Sequence, residues 1–439
     1  MVVRLLALAC VRPSQAVAKA LLRPRLTSLS SRSALRMSTM STNITSSDMP
    51  QIDPGFLVEE ETVKGYNAEH YYPVVLGEVL KDRYRTVGKL GFGSASTVWL
   101  CRDETASDKY VALKVYINKS KVHRELPIYS HLNALKSKHP GQQYVRRMLD
   151  SFEVEGPHGK HICLVHQPFG MNFDQLKDLC PNELFTPALI RESFRDILDG
   201  LEYLHKEAKV IHTDLQPSNL LLGVLDQTVF AKYEQQQIHD PVPRKELPDR
   251  TIYTSRSVPL TKGRPAISDL SEARFGDAEH SDLIMPNVYR APEVILDVPW
   301  SYPVDRWAFA MVIWDLFEPN RLFNPKDEVG NYSEEHHLAS MVALLGPPPL
   351  ELLQMSKRSQ KYWNEDGTWK GKVSIPDDSL ESLEKRLDGE EKETFLRFIK
   401  KMLQWHPKDR CDWEDILMDE WLLADLIKNG TIDLKDEER

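Results

Sequence analysis

The stretch KVIHTDLQPSNLL, residues 209–221, sets a run of polar side chains between two apolar anchors. Val210–Ile211 on one side and Leu220–Leu222 on the other read as short buried strands, so His212, Asp214, Gln216 and Asn219 are presented on a loop held at both ends. Asp214 could orient a hydroxyl nucleophile and accept its proton. Asn219, five residues on, could ligate a metal ion through its side-chain oxygen. Gln216 brings an amide and no charge to the same loop. An anonymous polar loop would hold no pattern with the rest of the chain, so the chemistry depends on what other segments bring to meet it.

The chain has 439 residues, too many for one ordinary core, and fits two lobes or two domains. It is 41% hydrophobic and 28% charged, a globular composition. A formal charge of −9 argues against a nucleic-acid surface and is compatible with basic partners. Cys10, Cys101, Cys163, Cys180 and Cys411 are scattered and form no Cys-x-x-Cys pair, which favours reduced thiols over a disulfide framework. No apolar run is long enough to span a membrane. From Met1 to Ser47 there are seven basic residues and no acidic one, the composition of a mitochondrial transit peptide rather than a secretory signal. A disordered basic tail, or a true start at Met37 or Met40, accounts for the same residues.

Order is expected from about residue 65. YRTVGKLGFGSASTVWLCRD (84–103) alternates apolar and polar residues around a glycine pair, predicting two strands and a tight turn. Gly91 and Gly93 permit close backbone approach and unusual torsions, and their amides could face an anion. The β-branched and aromatic run STVWLC after them rules out a helix opening there, and with it a dinucleotide-binding fingerprint. In YVALKVYI (110–117), Lys114 sits among apolar neighbours and is costly to bury unless an anion meets it. Glu125, in a helix start eleven residues later, is available to pair with it, leaving Lys114 extended toward the phosphates of a nucleotide. YVRRMLDSFEV (144–154) and KHICLVHQPFG (160–170) read as two further strands, with Val165–Gly170 in the character of a linker lining an adenine pocket.

The second half opens with a helix over FTPALIRESFRDILDGLEYLHKE (185–207), capped by Thr186 with Pro187 at its first position. Its apolar face of Leu189, Phe194, Ile197, Leu198, Leu201 and Leu204 predicts a buried scaffold that delivers the chain into the 209–221 loop. In PAISDLSEARF (265–275), Asp269 follows a short apolar strand and is placed to bind the second face of a Mg²⁺–phosphate cluster. Asp305 starts a strongly apolar helix, while Glu293 and Arg410, about 117 residues apart, say little from sequence alone.

Taken in order, KLGFGSASTVWL, VALKVY, HICLV, IHTDLQPSNLL, ISDLSEA and YRAPEVIL resemble a eukaryotic protein kinase, and within that superfamily the SR-protein kinases and their fungal relatives, over about residues 65–425. The resemblance implies an α+β, bilobal kinase fold with a small β-rich N-lobe (65–170, with the hinge) and a larger, mainly helical C-lobe (171–425), after a disordered leader (1–64) and before a loose tail (426–439). It implies transfer of the ATP γ-phosphate to Ser or Thr hydroxyls with Mg²⁺. Leu90, Gly91, Gly93, Val98, Ala112, Lys114, Val165 and Gln167 would hold the nucleotide, with Val98 on the adenine. Lys114, Glu125, Asp214 and Gln216 would serve catalysis, and Asn219 and Asp269 would bind the metal. Glu293 with Arg410 resembles a structural ion pair, and Asp305 the acid that props up the catalytic-loop backbone. The implied partners are protein substrates of Arg-Ser character, with no direct nucleic acid and no membrane, acted on by a monomer in cytoplasm and nucleus, or in the mitochondrion if the leader targets it.

The departures from the family bear on activity. Gln216 stands where the family carries a lysine beside the transferred phosphate, a change worth on the order of 3 kcal/mol, or about 10² in rate. Leu270 replaces the phenylalanine of Asp-Phe-Gly, as is usual in the resembled group, and Ser271 replaces its glycine at a cost in backbone freedom. These leave a weakened kinase or an inactive nucleotide-binding scaffold as alternatives. Thr213 replaces the arginine that elsewhere grips a phosphorylated loop, and no threonine lies between Asp269 and Glu293, against switching by loop phosphorylation. The insertion at about 223–264, polar and proline-bearing, is expected as an extended, partly ordered excursion.

Overall fold

The computed structural model describes residues 50–106, 109–119 and 124–432. The basic leader with Met37 and Met40, and the end of the tail from residue 433, lie outside them.

Six antiparallel strands form the N-lobe sheet: β1 (Val79–Leu80), β2 (Tyr84–Phe92), β3 (Ser96–Asp103), β4 (Tyr110–Tyr116), β5 (Met148–Gly156) and β6 (Gly159–His166), in the order β1-β2-β3-β4-β6-β5. Their register decides what faces the interlobe cleft. Val98 pairs with Lys114 and Leu100 with Ala112, while Trp99 pairs with Leu113. Alternation therefore puts Val98, Ala112 and Lys114 on one face and Trp99 and Leu113 on the other. Helix α1 (Glu125–Ala134) packs beside the sheet. Pro127 falls in its first turn, where a backbone N–H has no helical partner to lose.

The C-lobe is mainly helical. Thr186 caps α2 (Pro187–Glu202) by accepting from Leu189 N at 3.2 Å, and Phe194, Ile197, Leu198, Leu201 and Leu204 are fully buried. The helix ends in a π-turn, Tyr203–Glu207, which carries His205 inward. β7 (Val210–Ile211) and β8 (Leu220–Leu222) then bracket the polar loop. The buried helix α4 (Pro303–Phe317), α5 (Gly389–Met402) and α6 (Glu420–Lys428) are among the helices that make up the rest of the lobe. Among the described residues no helix is long and apolar enough to cross a membrane.

Three boundaries differ from the sequence reading. The insertion is folded: it holds α3 (Thr228–His239) and the hairpin β9 (Arg244–Glu246) and β10 (Thr251–Tyr253), before β11 (Pro265–Ile267) pairs with β8 and β12 (Arg274–Phe275) with β7. Its apolar side chains supply the reason. Phe230 and Tyr233 are buried with Leu100, on the cleft face of the sheet, while Tyr253 packs edge-on against Trp99 on the other face. Tyr233 Oη and Arg256 N both donate to the Lys89 carbonyl, at 3.1 and 2.9 Å. Residues 50–64, expected as leader, are mostly exposed but pinned to the lobe at Glu59–Glu61. Glu60 is buried against Lys89, Glu59 lies 3.3 Å from the same ammonium, and Lys245 of the insertion bonds Glu61 at 2.8 Å. A buried ammonium demands such carboxylates. Finally, residues 426–428, expected as tail, belong to α6.

Candidate active site

The loop after β7 is built on one buried carboxylate. Asp305 of α4 accepts from His212 N at 2.7 Å, from Thr213 N at 2.8 Å, and from His205 Nε2 at 2.7 Å. Trp413 Nε1 donates to His205 Nδ1 at 2.8 Å, so the His205 proton is on Nε2, where Asp305 takes it. Burial alone would raise the Asp305 pKa, but the bonds it accepts from His205 and from the His212 amide hold it below the ordinary value. His212 is fixed likewise: Asp214 N donates to its Nδ1 at 3.2 Å, and its Nε2 faces the Ser268 carbonyl at 3.1 Å. Thr213 lies in the left-handed region at φ 65°, a strain of about 1–3 kcal/mol for a non-glycine residue. Its Oγ1 donates to Glu272 O at 2.6 Å, tying the catalytic loop to the 269–293 segment without an arginine or a phosphate.

Asp214 projects from this frame with both oxygens at 3.1 Å from Gln216 Nε2. Asn219 Nδ2 donates to Asp214 O at 2.8 Å and to Oδ2 at 3.0 Å. Burial pushes the Asp214 pKa up to about 6, against the opposing pull of His212. The carboxylate therefore holds a proton more readily than an ordinary aspartate, which suits a group that must accept one.

Across the cleft, Lys114 Nζ lies 2.8 Å from Glu125 Oε2 and 3.0 Å from Asp269 Oδ1. Tyr116 Oη also donates to Glu125. Burial would lower the Lys114 pKa; the Asp269 and Glu125 carboxylates outweigh it and raise the pKa. Asp269, itself at φ 60°, has its pKa lowered, because Lys114 and the Ser271 groups overcome the burial that would raise it. Burial raises Glu125, with Lys114 opposing. Leu270 is fully buried in the main core.

The roof is partly as expected. Val98 is half-buried and Ala112 buried on the cleft face, with half-buried Leu90 beside the insertion helix. A Cβ built on Gly91 or Gly93 would meet no protein atom within 4 Å, so the space over both is open to a ligand. Neither glycine has a positive φ, so close approach rather than unusual torsion is what these positions offer. The Gly93 amide, expected to face an anion, instead donates to Ser96 O at 2.8 Å within the turn. Val165 is a correction: it pairs with Leu113 and packs with Trp99 and Leu113 on the sheet's outer face, away from the cleft. Strand parity gives the cleft face to its neighbours Leu164, opposite Lys114, and His166, opposite Ala112. Gln167 follows β6 with its side chain exposed, and its carbonyl accepts from Arg146.

Away from the cleft, Arg410 Nη1 and Nη2 meet Glu293 at 2.7 and 2.6 Å with both side chains fully buried, and the guanidinium lies 5.0 Å from the Trp307 ring centroid.

The donor set suits a hard divalent cation. Asn219 spends its amide N–H groups on Asp214, which leaves Oδ1 as its free ligand atom, and one Asp269 oxygen remains beside the bond to Lys114. No group of three or more His, Cys, Asp or Glu side chains among the described residues forms a self-sufficient cage. Mg²⁺ is characteristically held in this way, by one or two protein oxygens together with phosphates.

A two-lobed fold with a lysine–glutamate pair in its sheet, an acid-and-amide loop and a third acid across the cleft defines a protein kinase. The chain belongs to the eukaryotic protein kinase superfamily: the family model described as "Protein kinase domain" matches residues 84–422. It is 40% identical over 383 residues to a serine/threonine protein kinase of Aspergillus fumigatus, covering 86% of this chain and 94% of that one. It is 32% identical over 390 residues to the serine/threonine-protein kinase SRPK of Physarum polycephalum, covering 82% and 90%. The crystal structure of a kinase domain aligns with a TM-score of 0.62 over 81% of this chain and all of its own, at 23% identity, and shows the fold. The chain is a serine/threonine protein kinase related to the SRPK and CLK types.

Sequence reasoning did not find His205 or Trp413. His205 and Trp413 act 208 residues apart in the chain, and only the fold joins them.

Proposed function

We propose that this kinase phosphorylates Arg-flanked serines, with Asp214 as the base, Lys114 and Asp269 ordering the triphosphate, and Gln216 as the residue that limits its rate of turnover. The placement of Asp214 carries the reading: a half-buried carboxylate, its pKa raised by burial, opens to the same cleft as Lys114 and Asp269. Asp214 orients the acceptor hydroxyl and takes its proton as oxygen attacks phosphorus. Asn219 and Asp269 would hold Mg²⁺, which supplies charge neutralisation of the triphosphate when bound. Lys114, kept extended by Glu125, meets the phosphates, and the open space over Gly91 and Gly93 lets them approach the backbone. Gln216 holds Asp214 through its amide but brings no positive charge to the reacting phosphoryl group.

Basic substrates are supported by the acids around the 269–293 segment. Glu272, Asp277, Glu279, Asp282 and the nearby Asp297 are exposed, and Arg274 and Arg124 pair with only part of that charge. The name of the Physarum relative points the same way. Phosphorylation of an oriented serine/threonine peptide library with Mg²⁺ and ATP should select arginine next to the acceptor. Selection of acidic or proline-directed peptides would overturn the substrate assignment, and no transfer to any peptide would favour the inactive scaffold.

A further inference from the structure

A second cation, Arg146, stands between the end of β6 and the residue two before Asp269. Arg146 follows Val145, which bridges to Ile267, and its own N–H donates to the Ile267 carbonyl at 2.8 Å, two residues before Asp269. Its Nε and Nη2 both donate to the Gln167 carbonyl, at 3.3 and 3.2 Å. Gln167 is the first residue beyond β6, directly after His166, which pairs with Ala112 on the cleft face. The guanidinium also lies 5.7 Å from the Phe169 ring centroid. It feels the fields of Glu125 and Asp269 but makes no ion pair with either, and burial lowers its pKa from the ordinary value. A half-buried guanidinium bonded to one backbone carbonyl, with no carboxylate against it among the described residues, retains N–H donors for a ligand beside the end of β6.

We propose that Arg146 is a base-specificity residue that reads the edge of the nucleotide's purine and admits GTP beside ATP as phosphate donor. The inference rests on the nucleotide-dependent reading above. With the phosphates drawn to Lys114 and Asp269, the base would lie under Val98 and Ala112, beside His166, which pairs with Ala112, and the residues that follow it. Guanine offers an edge with two adjacent acceptors, N7 and O6, which suits an arginine fork, whereas adenine puts a donor amino group where guanine has O6. A 6-amino group would need an acceptor such as the Gln167 carbonyl, and Arg146 already occupies it. A 6-oxo purine accepts from the Arg146 donors that remain, while ATP enters by displacing the arginine from that carbonyl.

The test is a calorimetric titration of the full chain with Mg²⁺–ATP and Mg²⁺–GTP, paired with kcat/KM for peptide phosphorylation from each donor, for the wild type and Arg146→Met. We expect wild-type affinities for GTP and ATP within about tenfold of each other, and the variant to lose GTP relative to ATP by at least about tenfold. Wild-type rejection of GTP beyond that range, or an unchanged ratio in Arg146→Met, overturns the inference and leaves the kinase reading standing. The expected binding ratios without phosphate transfer would sustain it and sink the kinase reading; binding of neither nucleotide would overturn both. The wild-type ratio is read without any variant, so it alone can overturn the inference if Arg146→Met fails to fold.

Discussion

Asp214→Asn should lower the rate constant for phosphate transfer by about 10²- to 10⁴-fold, the usual contribution of a positioned general base. The substitution keeps the shape and an oxygen that can accept from Gln216 Nε2, which lies 3.1 Å from each Asp214 oxygen. It removes the negative charge and, with it, the capacity to take a proton. The loop frame should survive, because His212 N and Thr213 N bond to Asp305 and not to Asp214. Single-turnover phosphorylation of a serine peptide at saturating Mg²⁺–ATP reads the effect without the contribution of product release. A rate within a few-fold of wild type would remove Asp214 from its role.

Glu293→Gln should lower the free energy of unfolding by about 3–5 kcal/mol, because it strands the Arg410 charge in a dry interior. Both side chains are fully buried, and two bonds of 2.7 and 2.6 Å join them. The Arg410 contacts with Gln404 O and Pro303 O, at 3.1 and 3.0 Å, are too few to replace a carboxylate. Adding Arg410→Met to Glu293→Gln should recover part of the loss, since an apolar side chain of similar length needs no counter-ion. Chemical denaturation monitored by fluorescence measures both. A loss below about 1 kcal/mol, the range of exposed pairs, would contradict the structural role.

The parts of the site readable in the sequence were those where a chemical group sits in an improbable place. Lys114 inside an apolar strand demands an anion, and Glu125 and Asp269 meet it. Asp214 and Asn219 stand between apolar anchors that become β7 and β8. Strand parity was not readable. Val165 and His166 differ by one position, and only the pairing of Ala112 with His166 decides which of them faces the cleft. The insertion misled for another reason. Its Gln, Pro and Arg residues dominate the composition, but Val229, Phe230 and Tyr233 make a narrow helical stripe whose burial against the N-lobe sheet orders the segment. Glu59 and Glu60 read as part of a leader because the partner that fixes them, Lys89, lies in β2.

The most direct test of a working but slowed catalytic loop is the single-turnover rate of Gln216→Lys beside that of wild type. The variant restores a positive charge next to Asp214, where a lost electrostatic contact of on the order of 3 kcal/mol corresponds to about 10² in rate. The account predicts measurable wild-type transfer and a rise of about 10- to 100-fold in the variant. A variant no faster than wild type would contradict the assignment of Gln216 as the brake on this site.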